Sequence, residues 1–83
     1  GVKLPRDLAG LDLARLLSRH GYVTTRQTGS HLRLTSTLKG TQHHVTIPQH
    51  RSLRVGTLSS ILADVAEYLE IDRTILAEEL FGS

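Results

Sequence analysis

The chain contains no cysteine, so neither a disulfide framework nor a thiolate metal site is open to it, and a reducing compartment is permitted. Its stability has to come from packing. Aromatic residues are nearly as scarce. Tyr22, Tyr68 and Phe81 are too few to form the stacking platforms with which single-strand nucleic-acid binders hold bases. No apolar run approaches the roughly 20 residues that cross a bilayer, and the opening GVKLPRDLAG lacks the apolar centre of a signal peptide. A soluble, cytoplasmic protein is expected. With 83 residues, two helices against one small sheet is about the largest core available, which leaves no room for a large cofactor cleft.

What is present is strongly segregated charge. Residues 1–56 carry nine Lys or Arg against Asp7 and Asp12, a balance of +7, together with all five histidines. Residues 57–83 carry only Arg73 against six acids, a balance of −5. A basic half of this density attracts a phosphate backbone through counterion release and steering. Uneven charge also serves solubility alone, so the asymmetry by itself leaves both readings open.

The apolar pattern places the elements. Leu13, Leu16 and Leu17 recur at helical spacing between about Ala9 and His20, with Asp12 in the first turn and Gly21 as a natural stop. Tyr22 to Gln27 is β-rich, Thr28-Gly29 is a turn signal, and His31 to Thr37 alternates. Leu32 and Leu34 fall on one face of that strand, and His31, Arg33 and Thr35 on the other. After Lys39-Gly40, Val45 and Ile47 alternate with His44 and Thr46 until Pro48 ends the ladder. Thr57 is the expected cap of a second helix through Leu58, Ile61, Leu62, Val65 and Leu69. Asp72 is the expected cap of a short last helix with Ile75, Leu76 and Leu80 facing inward. The fold class is therefore α+β: a three-stranded antiparallel sheet with helices on one face, and the other face turning Arg26, Arg33, His44 and Thr46 to water.

The segment RQTGSHLRLT puts His31 directly after a Gly-Ser turn, at the head of a strand. It is either the tip of a hairpin or a stiff support presenting an imidazole to a substrate. The adjacent His43 and His44 point to opposite faces and cannot readily share a metal ion. The only acids in the basic half are Asp7 and Asp12, so neither a zinc or magnesium site nor any cofactor is expected.

The αβββα order with a polar sheet face is the topology of double-stranded RNA-binding domains. Three segments, HGYVTTRQTGSH, HVTIPQH and GTLSSIL, in this order and spacing resemble the HicA (YcfA-like) family of mRNA interferase toxins. The resemblance spans about residues 4–66 of one domain of 1–83, with an acidic helical extension at 67–83. It implies a small ribonuclease that cleaves messenger RNA and is neutralised by a HicB-type antitoxin, and it implies that the histidine after Gly-Ser, here His31, is catalytic.

RNA carries its own nucleophile in the 2′-hydroxyl, so cleavage without a metal needs only a base for that proton and an acid for the leaving 5′-oxygen; imidazole suits both tasks near neutral pH. Arg26 and Arg33, on the same face, can stabilise the charge developing on phosphorus. Gly29 allows close approach of the backbone, and the Ser30 hydroxyl or the turn amides can hold a phosphate oxygen. Lys39, Arg51 and Arg54, in the loops after the second and third strands, are placed to reach neighbouring phosphates. His50, after Ile-Pro-Gln, shapes either the site or only its loop. A second acid or base is not evident, and His44 or a residue from the mate in a homodimer would have to supply it. The expected partners are therefore RNA and an antitoxin in a hetero-oligomer. The rivals are an RNA-binding module of the same fold that does not cut, and a protein-interaction domain whose basic face receives an acidic partner.

Overall fold

Leu13, Ala14 and Leu17 share one face of a helix and are buried together, which defines α1 (Gly10–Ser18) in the computed structural model. The structure describes residues 3–82; residues 1, 2 and 83, the ends of the expected 1–83 unit, lie outside the described residues. Gly21 ends the first helical segment as expected. Its φ of 92° is open to glycine at little cost, and the turn it makes lets the Tyr22 amide return to the Leu17 carbonyl at 3.3 Å.

Three strands follow, β1 (Val23–Gln27), β2 (His31–Ser36) and β3 (His43–Pro48), in an antiparallel meander of order β1-β2-β3. α2 (Val55–Leu69) and α3 (Arg73–Phe81) complete the α+β order α, three β, then two α. Leu32, Leu34, Val45 and Ile47 are buried under the helices, so one sheet face belongs to the core and the other stays open.

The second helix starts earlier than the cap chemistry predicts. Thr57 is not its cap: the helix begins at Val55, and Arg54 occupies the N-cap position without a side-chain capping bond. Burial fixes this start. Leu53, just before the cap, is 1 % exposed and Leu58, four residues into the helix, is fully buried, the spacing of a hydrophobic staple. The Leu53 amide also donates to the Leu8 carbonyl at 2.7 Å, tying the loop back to the segment before α1.

At α3 the expected cap is present, with Asp72 Oδ1 accepting from the Thr74 amide at 2.7 Å. Leu76, Ala77 and Leu80 join the common core, but Ile75 is half exposed, against expectation. The inward face of a nine-residue helix is filled by that trio, and Ile75 falls outside its arc.

Gly10 lets two layers come close together. A Cβ there would fall on the Pro48 carbonyl oxygen, and the Gly10 amide donates to the His50 carbonyl at 3.0 Å. The start of α1 is thus pressed onto the end of β3, beside the position that pairs with His31.

Candidate active site

The β1–β2 hairpin is built to hold one residue. The Thr28 amide donates to the His31 carbonyl at 2.9 Å, and the Thr28 hydroxyl accepts from the His31 amide at 3.0 Å. The Gln49 amide donates to the Ser30 carbonyl at 2.8 Å, fastening the turn to the chain leaving β3. The His31 backbone is therefore fixed from both sides while its side chain stays exposed. Ser30 Oγ lies 2.9 Å from His31 Nδ1, so the serine hydroxyl engages that ring nitrogen and leaves Nε2 without a partner among the described residues. Thr28 was not evident as a site residue from the sequence, although a threonine opening a tight turn is a known device for holding backbone amides.

A bulge aims the next side chain. The β1–β2 register shifts between Thr24 and Arg26, so Thr24 opposes Leu34 on the core side and Arg26 opposes Arg33 on the open side. Unbroken alternation from Thr24 would have turned Arg26 onto the other face from Thr25; the extra residue restores it to the open face, a common use of bulges beside functional sites.

Two grooves meet at His31 and Thr46. One, of about 370 Å³, lies over the open sheet face and adds Arg26, Thr28, Arg33 and His44 to that pair. The other, of about 480 Å³, passes the edge of β3 to the first turns of α2, where Gly56, Thr57 and Ser60 face it. His31 thus occupies the junction of a basic groove and a neutral one.

His44 belongs to the basic groove and is braced in turn. Its Nδ1 lies 2.8 Å from Thr35 Oγ1, which lies 2.8 Å from Thr25 Oγ1. Thr35 was expected on the open face. It is on that face but only 7 % exposed, because Thr25 and His44 close over it. His44 pairs with Thr35, four residues along β2 from His31, or about 13 Å of strand. That spacing places the two imidazoles along one groove rather than around one atom.

The remaining residues singled out from the sequence divide by position. Gly29 has an ordinary backbone, with open space where a Cβ would stand. His50 and Arg51 are exposed in the loop that starts beside the hairpin, and Arg54 caps α2. Lys39 is not brought to the site: it sits in the β2–β3 turn, at the far end of the sheet, with Nζ 3.9 Å from Glu70. Among the described residues, no three His, Asp or Glu side chains are grouped so that they could hold a metal ion. No helix among them is long and apolar enough to cross a membrane.

His43 is a packed residue, as its face predicts. It stacks on Tyr68 with ring centroids 4.6 Å apart, and its two nitrogens lie 2.7 Å from the Tyr22 hydroxyl and 3.1 Å from Asp64 Oδ1. Burial, then the neighbouring Tyr68 and Asp64, holds the Tyr22 phenol well above its ordinary range. Asp64 can only accept, so a neutral His43 ring directs its Nε2–H to Asp64 and leaves Nδ1 to accept from the Tyr22 hydroxyl. This chain ties the residue before β1 to β3 and α2 at the end of the sheet away from His31.

The fold and site define a small α+β protein whose open sheet face presents His31 at a hairpin beside Arg26 and Arg33, with His44 farther along. The family described as the HicA toxin of bacterial toxin–antitoxin systems matches residues 10–66, from the first residue of α1 almost to the end of α2, and the chain belongs to it. It is thus a toxin-family protein of a toxin–antitoxin system. No curated protein and no solved structure gives a significant match.

Proposed function

We propose that this toxin is a metal-independent endoribonuclease that cleaves messenger RNA with His31 and is held in check by a HicB-type antitoxin. The observation that carries the proposal is the placement of His31: an exposed imidazole, held at Nδ1 by Ser30, at the junction of two grooves and beside two arginines. When Nδ1–H donates to Ser30 Oγ, Nε2 carries the lone pair that withdraws the proton from a 2′-hydroxyl. The oxygen then attacks phosphorus as the bond to the 5′-oxygen breaks, and that oxygen takes its proton from water or back from the His31 imidazolium, giving a 2′,3′-cyclic phosphate and a 5′-hydroxyl. Arg26 and Arg33 stabilise the charge on the phosphorane and lower the demand for a second proton donor. His44, farther along the groove, contacts a flanking nucleotide, as do His50, Arg51 and Arg54 in the segment between β3 and α2. Lys39 lies too far along the sheet to share in this.

Residues 1–83 are read as one domain, with a family core at about 4–66 and an extension at about 67–83 that contributes Leu76, Ala77 and Leu80 to the core. Incubating wild-type protein and a folded His31→Ala variant with a long unstructured RNA in EDTA tests the nuclease reading. Cleavage by wild type alone, with cyclic phosphate ends, is expected. A second reading, an RNA-binding module that does not cut, draws on the wide spacing of His31 and His44. Binding by both proteins with cleavage by neither would select it.

A further inference from the structure

The two grooves that meet at His31 differ in charge. The one on the sheet face is bordered by Arg26 and Arg33, whereas the one along α2 has no Lys or Arg in its wall. Its polar groups are the hydroxyls of Thr46, Thr57 and Ser60, and its apolar wall is Pro48 and Ile61. We infer that this second groove is a subsite for the base of a nucleotide flanking the scissile phosphate, and that Thr57 and Ser60 read its edge.

Charge decides which part of the nucleotide enters which groove. A phosphate placed along α2 would find no Lys or Arg in the wall, while the arginine groove next door offers two; the strand's anionic backbone therefore follows the sheet. A base is neutral, has an apolar face and carries donors and acceptors on its edge. It matches a groove of about 480 Å³ with a proline and an isoleucine on one side and hydroxyls on the other. Thr57 and Ser60 are three apart on α2 and so stand one above the other on the same helix face. Each hydroxyl can donate or accept, so the pair can hydrogen-bond the edge of a splayed-out base, which is how single-stranded RNA is usually read. Gly56 has open space where a side chain would stand, which leaves the mouth of the groove clear. None of the three aromatic residues lines it, so recognition here relies on edge contacts and not on stacking.

This inference rests on the endoribonuclease reading, and its test separates the two. Ser60 is exposed, so Ser60→Phe fills the groove without entering the core, and Thr57→Val with Ser60→Ala removes both hydroxyls. Wild type and variants, matched for thermal unfolding, are given a random-sequence RNA and every cut is mapped. Ser60→Phe is expected to raise KM about tenfold with little change in kcat, the signature of lost uniform binding. The double variant is expected to flatten the base preference at one position next to the cut. If wild type cuts and both variants keep its KM and its base preference, the subsite is overturned while the nuclease stands. If wild type does not cut, a 2′-deoxy oligonucleotide titrated into His31→Ala decides by amide NMR: shifts at Gly56, Thr57 and Ser60 support the groove, and shifts confined to the arginine face, or none, overturn it.

Discussion

Arg26 and Arg33 stand directly opposite each other on the open sheet face, and neither has a carboxylate partner among the described residues. A sheet selected for stability alone would avoid this, since like charges at opposed positions cost about 0.2–1 kcal/mol. Two guanidinium groups splayed to about 8 Å in water repel by about 0.5 kcal/mol. Screening reduces this to about 0.4 kcal/mol at 0.01 M salt, about 0.2 at 0.15 M and almost nothing at 1 M. Arg26→Gln keeps the length of the side chain and removes the charge, so it is expected to stabilise the fold by about 0.4 kcal/mol at low salt and to lose that advantage as salt rises. Urea unfolding at the three salt concentrations reads the difference. The same variant, built on His31→Ala so that the RNA survives, is expected to bind single-stranded RNA about tenfold more weakly, the cost of one charged hydrogen bond. Its plot of log affinity against log salt is expected to be shallower by about 0.7, one phosphate contact fewer. A variant that is less stable than wild type at low salt, or one with an unchanged salt slope, refutes the claim that this pair trades stability for an RNA contact.

Other perturbations test the supports of the site. Gly10→Ala drives a methyl group into the Pro48 carbonyl; it is expected to cost about 1–3 kcal/mol, seen as a lower Tm and as weaker cleavage, since Pro48 pairs with His31. Tyr22→Phe strands the His43 acceptor and is expected to cost about 1–3 kcal/mol near neutral pH by urea unfolding. Because burial raises the Tyr22 phenol above its ordinary range, the unfolded chain loses that proton first, and wild-type stability must fall as pH rises beyond about 10. Tyr22→Phe is expected to show a smaller fall over the same alkaline range. Ser30→Ala removes one hydrogen bond from His31 and is expected to lower kcat about threefold to tenfold, about 1 kcal/mol, with KM unchanged.

Much of the site was legible because its signals are local. Gly-Ser before His31, with Leu32 and Leu34 alternating after it, fixes a hairpin whose strand turns His31 and Arg33 to the open face. The spacing of Leu58, Ile61, Leu62 and Val65 likewise fixes α2 and the side it buries. Features that depend on contacts between segments were not legible. The start of α2 follows from Leu53 meeting the core, not from the threonine that is the third residue of the helix. The bulge at Thr24/Arg26 leaves no mark in the sequence, so the placement of Arg26 was right without its reason being visible. Thr35 is covered by side chains from both neighbouring strands, and Lys39 is removed from the site because the turn that carries it lies at the opposite end of the sheet. The second groove joins β3 to a helix that begins seven residues after it ends, and only the fold shows that the two lie together.

The central claim is that the substrate's own 2′-hydroxyl, deprotonated by His31, cuts the chain. It is tested most directly by a short RNA with one mapped cleavage site and the same RNA bearing a single 2′-deoxy substitution at that nucleotide, each followed in single-turnover reactions with EDTA. His31 chemistry predicts that wild type cuts the first and leaves that bond intact in the second, while both bind equally and His31→Ala cuts neither. Cleavage of the 2′-deoxy bond at a comparable rate would mean that the nucleophile comes from elsewhere, and the role assigned to His31 would be wrong.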